Sequence, residues 1–428
     1  MALKNWTKAS IDDVVNLIID YRGKTPKKLG VDWQESGIPA ISAKNIKQGQ
    51  IVRQESIKYV SHEMYQIWMK DKLQPNDVIL TSEAPLGEIL YLKKVEPMVL
   101  SQRLFALRLD TLTINPRYFA YYIESKEGQS ALKSKATGTT AQGIRQTLLR
   151  EVDVYFPDNL ATQQKIASIL SAYDDLIENN NRRIKILEEI AQRIYREWFI
   201  HFRYPGHEDV PLVDSELGKI PEGWEVRRLS DKYSIHKGLS YRSKDLVESG
   251  GIPMINLKNI NKGGGFRSDG VKYYVGEFKE SHEVSKGDVI VAVTDMTADR
   301  SIAGRAARIP RSKTKAIISA DLVRIEPLER ISQSYTYGLF SFSTLPLYLK
   351  EFATGTNVQH LSPSSISIQK IIVPPKSLQD EYGFILENPY ELADNLDSNN
   401  QNLRKTRDLL LPKLISGQLD VEDLDIKV

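Results

Sequence analysis

The sequence contains no cysteine among its 428 residues. This absence excludes disulfide frameworks, thiolate metal sites and cysteine nucleophiles, and it fits a reducing compartment. No window approaches eighteen uninterrupted apolar residues, and the first ten residues, MALKNWTKAS, lack the apolar run of a signal peptide. The sequence therefore favours a cytoplasmic location and does not predict secretion or a membrane span.

Familiar catalytic motifs are missing as well. RGKTP at Arg22–Pro26 has the end of a phosphate-binding loop, but Ile18 stands where the first glycine of that loop belongs. The six histidines are scattered and do not provide the spacing of metal ligands. ENPY at Glu387–Tyr390 resembles the Asn-Pro-Pro-Tyr motif of adenine methyltransferases, but it lacks the second proline and no glycine-rich cofactor loop precedes it. We therefore expect a chain that is not an enzyme, with no catalytic residues, no metal and no cofactor of its own.

The net charge of +3 is unevenly distributed along the chain. Residues 1–157 carry +5 and residues 217–374 carry +7, whereas residues 158–216 carry −4 and residues 375–428 carry −5. Two basic blocks are typical of surfaces that bind phosphates, because neutralising phosphates releases counterions. The alternative is that these lysines and arginines only keep two domains soluble.

Much of the sequence occurs as two similar copies. GIPAISAKNIKQG, from Gly37 to Gly49, returns as GIPMINLKNINKG, from Gly251 to Gly263, with eight of thirteen positions identical. NDVIL, ATGTTAQ and VDVYFP return as GDVIV, ATGTNVQ and KIIVP, and the offset stays between 211 and 218. So steady an offset indicates a duplicated domain and not a short solenoid repeat. Short β-rich runs alternate with turns and occasional helices, which predicts a mixed α/β domain in each copy.

A helical pattern follows each copy. After the first copy, seam residues recur alternately four and three apart, which predicts a long coiled-coil helix. That seam contains Ile166, Leu170, Tyr173, Ile177, Asn180, Ile184, Leu187, Ala191, Ile194 and Trp198. The weaker seam after the second copy contains Ile385, Leu392, Leu396, Asn399, Leu403, Thr406 and Leu410. In this second helix we predict a break near Pro389 and an end near Leu414–Leu419.

Each apolar seam needs a partner, and the simplest partner is the other seam. We therefore predict two antiparallel helices that form a coiled-coil spacer, related by approximate twofold symmetry, with an overall α+β fold. Asn180 and Asn399 occupy equivalent positions near the middle, where a buried polar residue fixes register at some cost in stability. Exposure of both asparagines on the rim is the alternative.

Composition and pattern together divide the chain. The predicted segments are a first globular domain at 1–157, a central spacer helix at 158–203, a linker at 204–216, a second globular domain at 217–374, and a C-terminal spacer helix and tail at 375–428. The linker is predicted from its proline, glycine and acidic content.

This layout resembles the specificity (S) subunit of type I restriction–modification systems. The motifs that carry the resemblance are GKIPEGWEVRRLSD (Gly218–Asp231), ATGTTAQ, REWF (Arg196–Phe199) and LPKLISGQLDV (Leu411–Val421). The resemblance covers essentially the whole chain. It implies two target-recognition domains that each read one half of a bipartite double-stranded DNA target, and helices that bind two modification subunits. S-adenosylmethionine, ATP and magnesium would belong to the modification and restriction subunits.

Two alternatives to this interpretation stay open. One is the S subunit of a type IIB-like system, whose partner fuses nuclease and methylase in one chain. The other is a helical adaptor that binds only proteins.

The duplication also sorts the candidate DNA-binding residues. Residues common to both copies are better suited to scaffold or phosphate contact, and residues that diverge are better suited to base readout. Lys44–Asn45 and Lys258–Asn259 are common, as are Thr137/Thr354, Thr139/Thr356 and Gln142/Gln359. The arginine candidates are Arg103, Arg145, Arg300 and Arg305, whose chemistry suits guanine or phosphate. Solvated lysines and arginines, and threonines that only organise a turn, are the alternatives.

Divergence is greatest after the strand that contains the DV dipeptide. The second copy has six more residues there, in Ile290–Gly304, than the first copy has in Ile79–Gly87. We expect specificity to lie in segments of this kind.

Overall fold

The computed structural model describes residues 5–138, 142–297, 301–310 and 315–426. The chain divides into two compact units, Met1–Ile177 with Asn402–Val428, and Glu178–Gln401. Each unit contains one copy of the repeat and a segment of each of two long helices. The boundary between the units falls inside both helices.

The first copy is a mixed α/β domain. A four-stranded antiparallel sheet, a smaller mixed sheet and a pair formed by the first and last strands make up its frame. The strands are Trp6–Ser10, Val15–Ile19, Ile38–Ile41, Ile46–Lys47, Gln50–Ile51, Lys58–Val60, Val78–Thr81, Ile89–Tyr91, Val99–Leu100, Leu104–Leu109 and Asp153–Pro157. The α-helices are Ile11–Val14, His62–Trp68, Pro116–Glu124, Lys126–Ser134 and Gln146–Arg150.

The second copy repeats this topology. Its four-stranded sheet has the same order of strands, and its second sheet is enlarged to five strands. The strands are Glu225–Arg228, Tyr233–Lys237, Leu246–Val247, Ile252–Ile255, Lys272–Tyr274, Glu283–Val284, Val289–Ala292, Thr294–Asp295, Ala306–Arg308, Ala316–Ile318, Leu322–Pro327, Gln359–His360 and Lys370–Val373. The α-helices are Gln333–Phe342, Leu345–Glu351 and Pro363–Ser367. A separate hairpin, Leu212–Ser215 with Gly218–Pro221, precedes the copy.

Equivalent contacts confirm that the copies share one fold. A parallel pair joins Ala40 to Val99 in the first copy, and Met254 to Ile317 in the second. Buried tyrosines also make matching bonds. The hydroxyl of Tyr118 donates to the Tyr155 carbonyl at 3.0 Å, and that of Tyr335 donates to the Ile372 carbonyl at 3.0 Å.

The central strand Leu104–Leu109 explains why the first copy has two cores. Successive side chains of a strand point to opposite faces of its sheet. Phe105 and Leu107 pack with the helices, whereas Leu104 and Ala106 pack with the smaller sheet. Because both faces are covered, the strand is apolar almost throughout and not alternating.

Two long helices follow the copies. The first spans Leu160–Tyr195 and continues as a π-helical turn over Arg196–Ile200. The second spans Lys376–Ile415, so the predicted end near Leu414–Leu419 is confirmed. None of the helices in the described parts of the chain is long and apolar enough to cross a bilayer.

The predicted helix break near Pro389 is wrong, because the second long helix runs through this residue. Proline removes the amide that would bond the carbonyl four residues earlier, which belongs to Ile385. Ile385 is exposed, and carbonyls on the solvent side of a helix can bond water instead.

The C-terminal ends of the two helices are core elements. Tyr195, Trp198 and Phe199 pack in the core of the second copy. Leu414 and Ile415 pack in the core of the first copy. Each copy is therefore completed by the end of a helix, and for the first copy that helix comes from the far end of the chain.

Candidate nucleic-acid interface

Four segments of the first copy meet at one edge of its sheets. The amide of Ala43 donates to the Gln102 carbonyl at 3.2 Å. The amide of Ser82 donates to the Arg103 carbonyl at 2.9 Å, and Ser82 in turn accepts from the amide of Ile144 at 2.9 Å. We call residues 42–45, 82–87, 101–103 and 142–145 the first loop surface.

Four of the predicted residues in the first loop surface are exposed. They are Lys44, Arg103, Gln142 and Arg145. Arg103 Nε pairs with Glu83 Oε1 at 2.9 Å, and the backbone of Glu83 forms a β-bridge to Gly143. The surface therefore presents three cations and an amide, which suits phosphate and base contact.

The corresponding segments of the second copy form an equivalent edge. The amide of Val293 donates to the Asp321 carbonyl at 2.8 Å, and Val293 accepts from the amide of Leu361 at 2.8 Å. We call residues 256–258, 293–297, 301–305, 319–321 and 359–362 the second loop surface. It contains Lys258, which is exposed, and Arg305, which is half-buried.

Asp295 organises the longer loop of the second copy. Its Oδ1 accepts from the Thr297 amide at 2.7 Å, and its Oδ2 accepts from the amides of Ile302 at 2.7 Å and Ala303 at 2.8 Å. Burial alone would raise the pKa of this carboxyl, but the hydrogen bonds from Thr297, Ala303 and Ile302 outweigh burial and lower the pKa below 3.8. Asp295 is thus a buried anchor that sequence reasoning missed.

Asn45 and Asn259 are scaffold residues, so their assignment as DNA-binding candidates is wrong. Both side chains are almost fully buried. Asn45 Nδ2 donates to Arg53 O at 3.2 Å, and Asn259 Nδ2 donates to Arg267 O at 2.9 Å. Because these amides satisfy backbone carbonyls of the following turn, they have no free surface for DNA.

The remaining shared residues divide between scaffold and surface. Gln142 is exposed, but its sequence equivalent Gln359 is only 8% exposed, so direct DNA contact by Gln359 is not supported. Thr137 closes a turn through reciprocal backbone bonds with Gly143 at 2.8 and 2.9 Å, and Thr354 does so with His360. The turn interpretation of these two threonines is therefore supported. Arg300 and Thr139 lie outside the described residues, and Thr356 is exposed.

The seam of the first long helix is largely as predicted. Ile166, Leu170 and Ile177 are buried in the first unit, and Asn180 is buried in the second. Ile184 and Leu187 are half-buried.

The seam of the second long helix differs from the prediction by one residue in places. Asn399 is exposed, and Asn400 is the residue with 0% exposure. Asn400 accepts from Asn180 Nδ2 at 2.9 Å and donates to Asn181 Oδ1 at 2.9 Å. Leu396 is buried and Leu403 half-buried, as expected for seam residues, but Ile385, Leu392 and Thr406 are exposed.

Aromatic packing explains the shifted seam. Tyr382 stacks edge-on to Tyr195 with centroids 5.9 Å apart, and its hydroxyl donates to the Ala191 carbonyl at 3.3 Å. Leu386 and Tyr390 continue this buried stripe one residue beyond the predicted seam. Ala191 and Tyr382 approach in the same unit as Asn180 and Asn400, so the helix segments of that unit are antiparallel.

Comparison with known families agrees with this architecture. The model of the type I restriction modification DNA specificity domain matches residues 3–189 and 221–403, one match for each copy. The chain belongs to this family. The resemblance predicted from the repeated motifs is thereby confirmed.

Two relatives described as type I restriction enzyme specificity subunits match most of the chain. The type I restriction enzyme MjaIX specificity subunit of Methanocaldococcus jannaschii is 27% identical over 98% of this chain and 95% of its own length. The HindI specificity subunit of Haemophilus influenzae is 25% identical over 80% of this chain and 86% of its own length. A crystal structure of a type I S subunit from M. genitalium has a TM-score of 0.58 at 18% identity, with 97% of each chain covered, and supports the fold.

Proposed function

We propose that the chain is the non-catalytic DNA-recognition subunit of a type I restriction–modification complex. Each copy would read one half of a bipartite target through its loop surface. The observation that carries this proposal is that the two loop surfaces share a backbone frame but carry different side chains. Two related readers with different chemistry are what recognition of two different half-sites requires.

Charge supports DNA as the ligand. The basic excess of the chain is confined to the two copies, and the segments that contain the long helices are acidic. Exposed cations of the first loop surface would contact phosphates and make affinity depend on salt. Acidic helices would be repelled by DNA, which leaves them for protein partners.

The long helices and the segments directly after them carry matched apolar residues that suit two copies of one partner. Ile190 and Leu409 are separated by the 219-residue offset between the helices, and both are exposed. Ile200 and Leu419 are separated by the same offset and are exposed as well. We propose that each unit docks one modification subunit, the first unit at Leu409 and Leu419 and the second unit at Ile190 and Ile200. Restriction subunits would join the resulting complex.

The chemistry of the complex would belong to these partners. Modification subunits would bind S-adenosylmethionine and methylate adenine, and restriction subunits would use ATP and magnesium. This chain would position these partner subunits and select the DNA sequence. A type IIB-like partner with fused nuclease and methylase would use the same recognition subunit.

Sequencing the adenine methylation left by the reconstituted complex tests the recognition proposal. We expect a split motif with a gap of constant length. A continuous motif would exclude two separate readers. DNA binding that lacks a steep salt dependence, with equal affinity for all duplexes, would favour the helical adaptor instead.

Stoichiometry tests the docking proposal. Ile190→Asp and Leu409→Asp should each reduce bound modification subunits from two to one, as measured by mass of the purified complex. Leu176→Asp is the matched control, because Leu176 is an exposed residue of the first long helix outside both pairs. Retention of two subunits by both variants would overturn this docking surface.

A further inference from the structure

A short turn in each copy enters the central strand of the four-stranded sheet. The sequence LSQRL at Leu100–Leu104 corresponds to ISADL at Ile318–Leu322. Both flanking leucines, Leu104 and Leu322, are fully buried. The turns are therefore anchored by the core, while the residues between the anchors reach the two loop surfaces.

Backbone bonds show that Arg103 and Asp321 are structural equivalents. In the first copy, the amide of Ser101 donates to the Ile41 carbonyl at 2.8 Å, and the Arg103 carbonyl accepts from the amide of Ser82 at 2.9 Å. In the second copy, the amide of Ser319 donates to the Ile255 carbonyl at 2.9 Å, and the Asp321 carbonyl accepts from the amide of Val293 at 2.8 Å. One position of the fold thus carries opposite charges in the two copies.

Each side chain is oriented by a neighbour. Arg103 pairs with Glu83 at 2.9 Å and is half exposed. Its φ of 66° lies in the left-handed region, which costs a residue with a side chain about 1 kcal/mol or more and is typical of functional positions. Asp321 Oδ2 accepts from the Ser319 hydroxyl at 3.4 Å and is partly exposed. A carboxylate has about four acceptor sites, so this bond leaves capacity for another donor.

We propose that this position reads one base pair in each half-site, with Arg103 in the first copy and Asp321 in the second. The inference rests on the proposed recognition function and identifies a residue pair within it. Arginine donates two hydrogen bonds to O6 and N7 of guanine, whereas a carboxylate accepts from the N4 amino group of cytosine. The two copies therefore select bases with opposite hydrogen-bonding character through one position of the fold.

The test is the methylation motif of complexes reconstituted with Arg103→Ala or Asp321→Asn. Arg103→Ala should relax one guanine-containing base pair in one half-site, with preference there falling about tenfold. Asp321→Asn should alter one base pair in the other half-site. In each case the unaltered half-site is an internal control. Lys133→Ala and Glu248→Ala, which change exposed charges elsewhere in the two copies, should leave the whole motif unchanged.

The outcomes separate this inference from the function on which it rests. A split motif in the wild-type complex that both variants reproduce unchanged would overturn the inference alone. Uniformly weaker methylation with the same motif would assign the position to phosphate contact or stability, and would also overturn it. A continuous wild-type motif would overturn the recognition function itself. Unfolding midpoints of the variants show whether a lost motif reflects lost folding.

Discussion

Neighbouring residues of the repeated Lys-Asn pair have opposite environments in both copies. Lys44 and Lys258 are exposed, whereas Asn45 and Asn259 are buried. The asparagine links its own turn to the turn that follows it in the sequence. Its side-chain amide can do so because it donates to backbone carbonyls and accepts from a backbone amide at the same time. The repeated motif therefore combines a structural residue with a surface cation.

Replacement of Asn45 should separate these roles. Asn45→Ala removes the side-chain hydrogen bonds to the carbonyls of Val52 and Arg53 and to the amide of Ser42. We expect the free energy of unfolding to fall by about 2–3 kcal/mol. Lys44→Ala should change stability by less than about 0.5 kcal/mol, but should reduce the salt slope of DNA binding by about 1. Urea denaturation and salt titration measure the two effects, and equal stabilities would contradict the structural role.

Asp295 makes the second loop surface sensitive to acid. Its pKa is lowered on folding, so its contribution to stability is fully present above the ordinary value of 3.8 and is lost as the pH falls through the folded pKa. Asp295→Asn cannot satisfy the amides of both Ile302 and Ala303 together with Thr297, and should cost about 2–4 kcal/mol at pH 7.

Denaturation at a series of pH values checks this prediction. The difference between wild type and Asp295→Asn should shrink as the pH falls from 3.8 through the lower pKa of the folded carboxyl, where the wild-type side chain becomes protonated. Asp245→Asn, an exchange at a partly exposed aspartate of the same copy, is the control. A difference that does not change with pH would show that the charge of Asp295 is not involved.

At the scale of elements, buried polar residues determine the register of the long helices as much as apolar residues do. Asn180 and Asn400 are buried and bonded to each other in the helix pair of the second unit, and Asn400 also donates to the exposed Asn181. A buried amide pairs favourably only with another polar group, so sliding one helix along the other breaks both bonds. These bonds thereby select one register.

Asparagine scanning tests which residue occupies the seam. Asn400→Ala removes two hydrogen bonds and should destabilise the protein by about 1–3 kcal/mol. Asn399→Ala changes the exposed neighbour on the same helix and should have little effect. Thermal unfolding of the two variants distinguishes them. A larger effect at Asn399 would restore the seam expected from the heptad pattern.

At the scale of the whole molecule, the first unit is assembled from two distant parts of the chain. Leu414, Ile415 and Val421 are almost fully buried in the core that is otherwise built by the first copy and the beginning of the first long helix. Burial of three such side chains contributes about 5 kcal/mol. The first copy is thus stabilised by residues that lie far from it in the sequence.

Truncation before Leu414 should therefore destabilise the first copy and spare the second. We expect faster hydrogen exchange in Leu104–Leu109 and unchanged exchange in Leu322–Pro327. Truncation after Leu424, which keeps Val421, is the matched control. Equal protection of both strands in the shorter chain would show that the first copy is complete without the C-terminal segment.

The sequence by itself determined the duplication, the mixed α/β class of each copy and the presence of two long helices. These features depend on local periodicity and on motif order, which can be read without knowing any contact. The family followed from the same motifs. Lys44, Arg103, Gln142 and Arg145 were also identifiable, since exposed cations and amides in divergent or repeated loops are visible as residue types.

Only the tertiary structure decided which side chain of a pair is buried. Asn400 replaced Asn399 because Tyr382 and Leu386 pack in the core and so set the rotation of the second helix. Asn45 and Gln359 were candidates for DNA contact by residue type, but tertiary packing buries both side chains. Asp321 became a candidate for base contact only because its backbone bonds place it at the position that Arg103 occupies in the first copy. Burial and equivalence arise from contacts between residues far apart in the chain, and a local pattern carries no record of them.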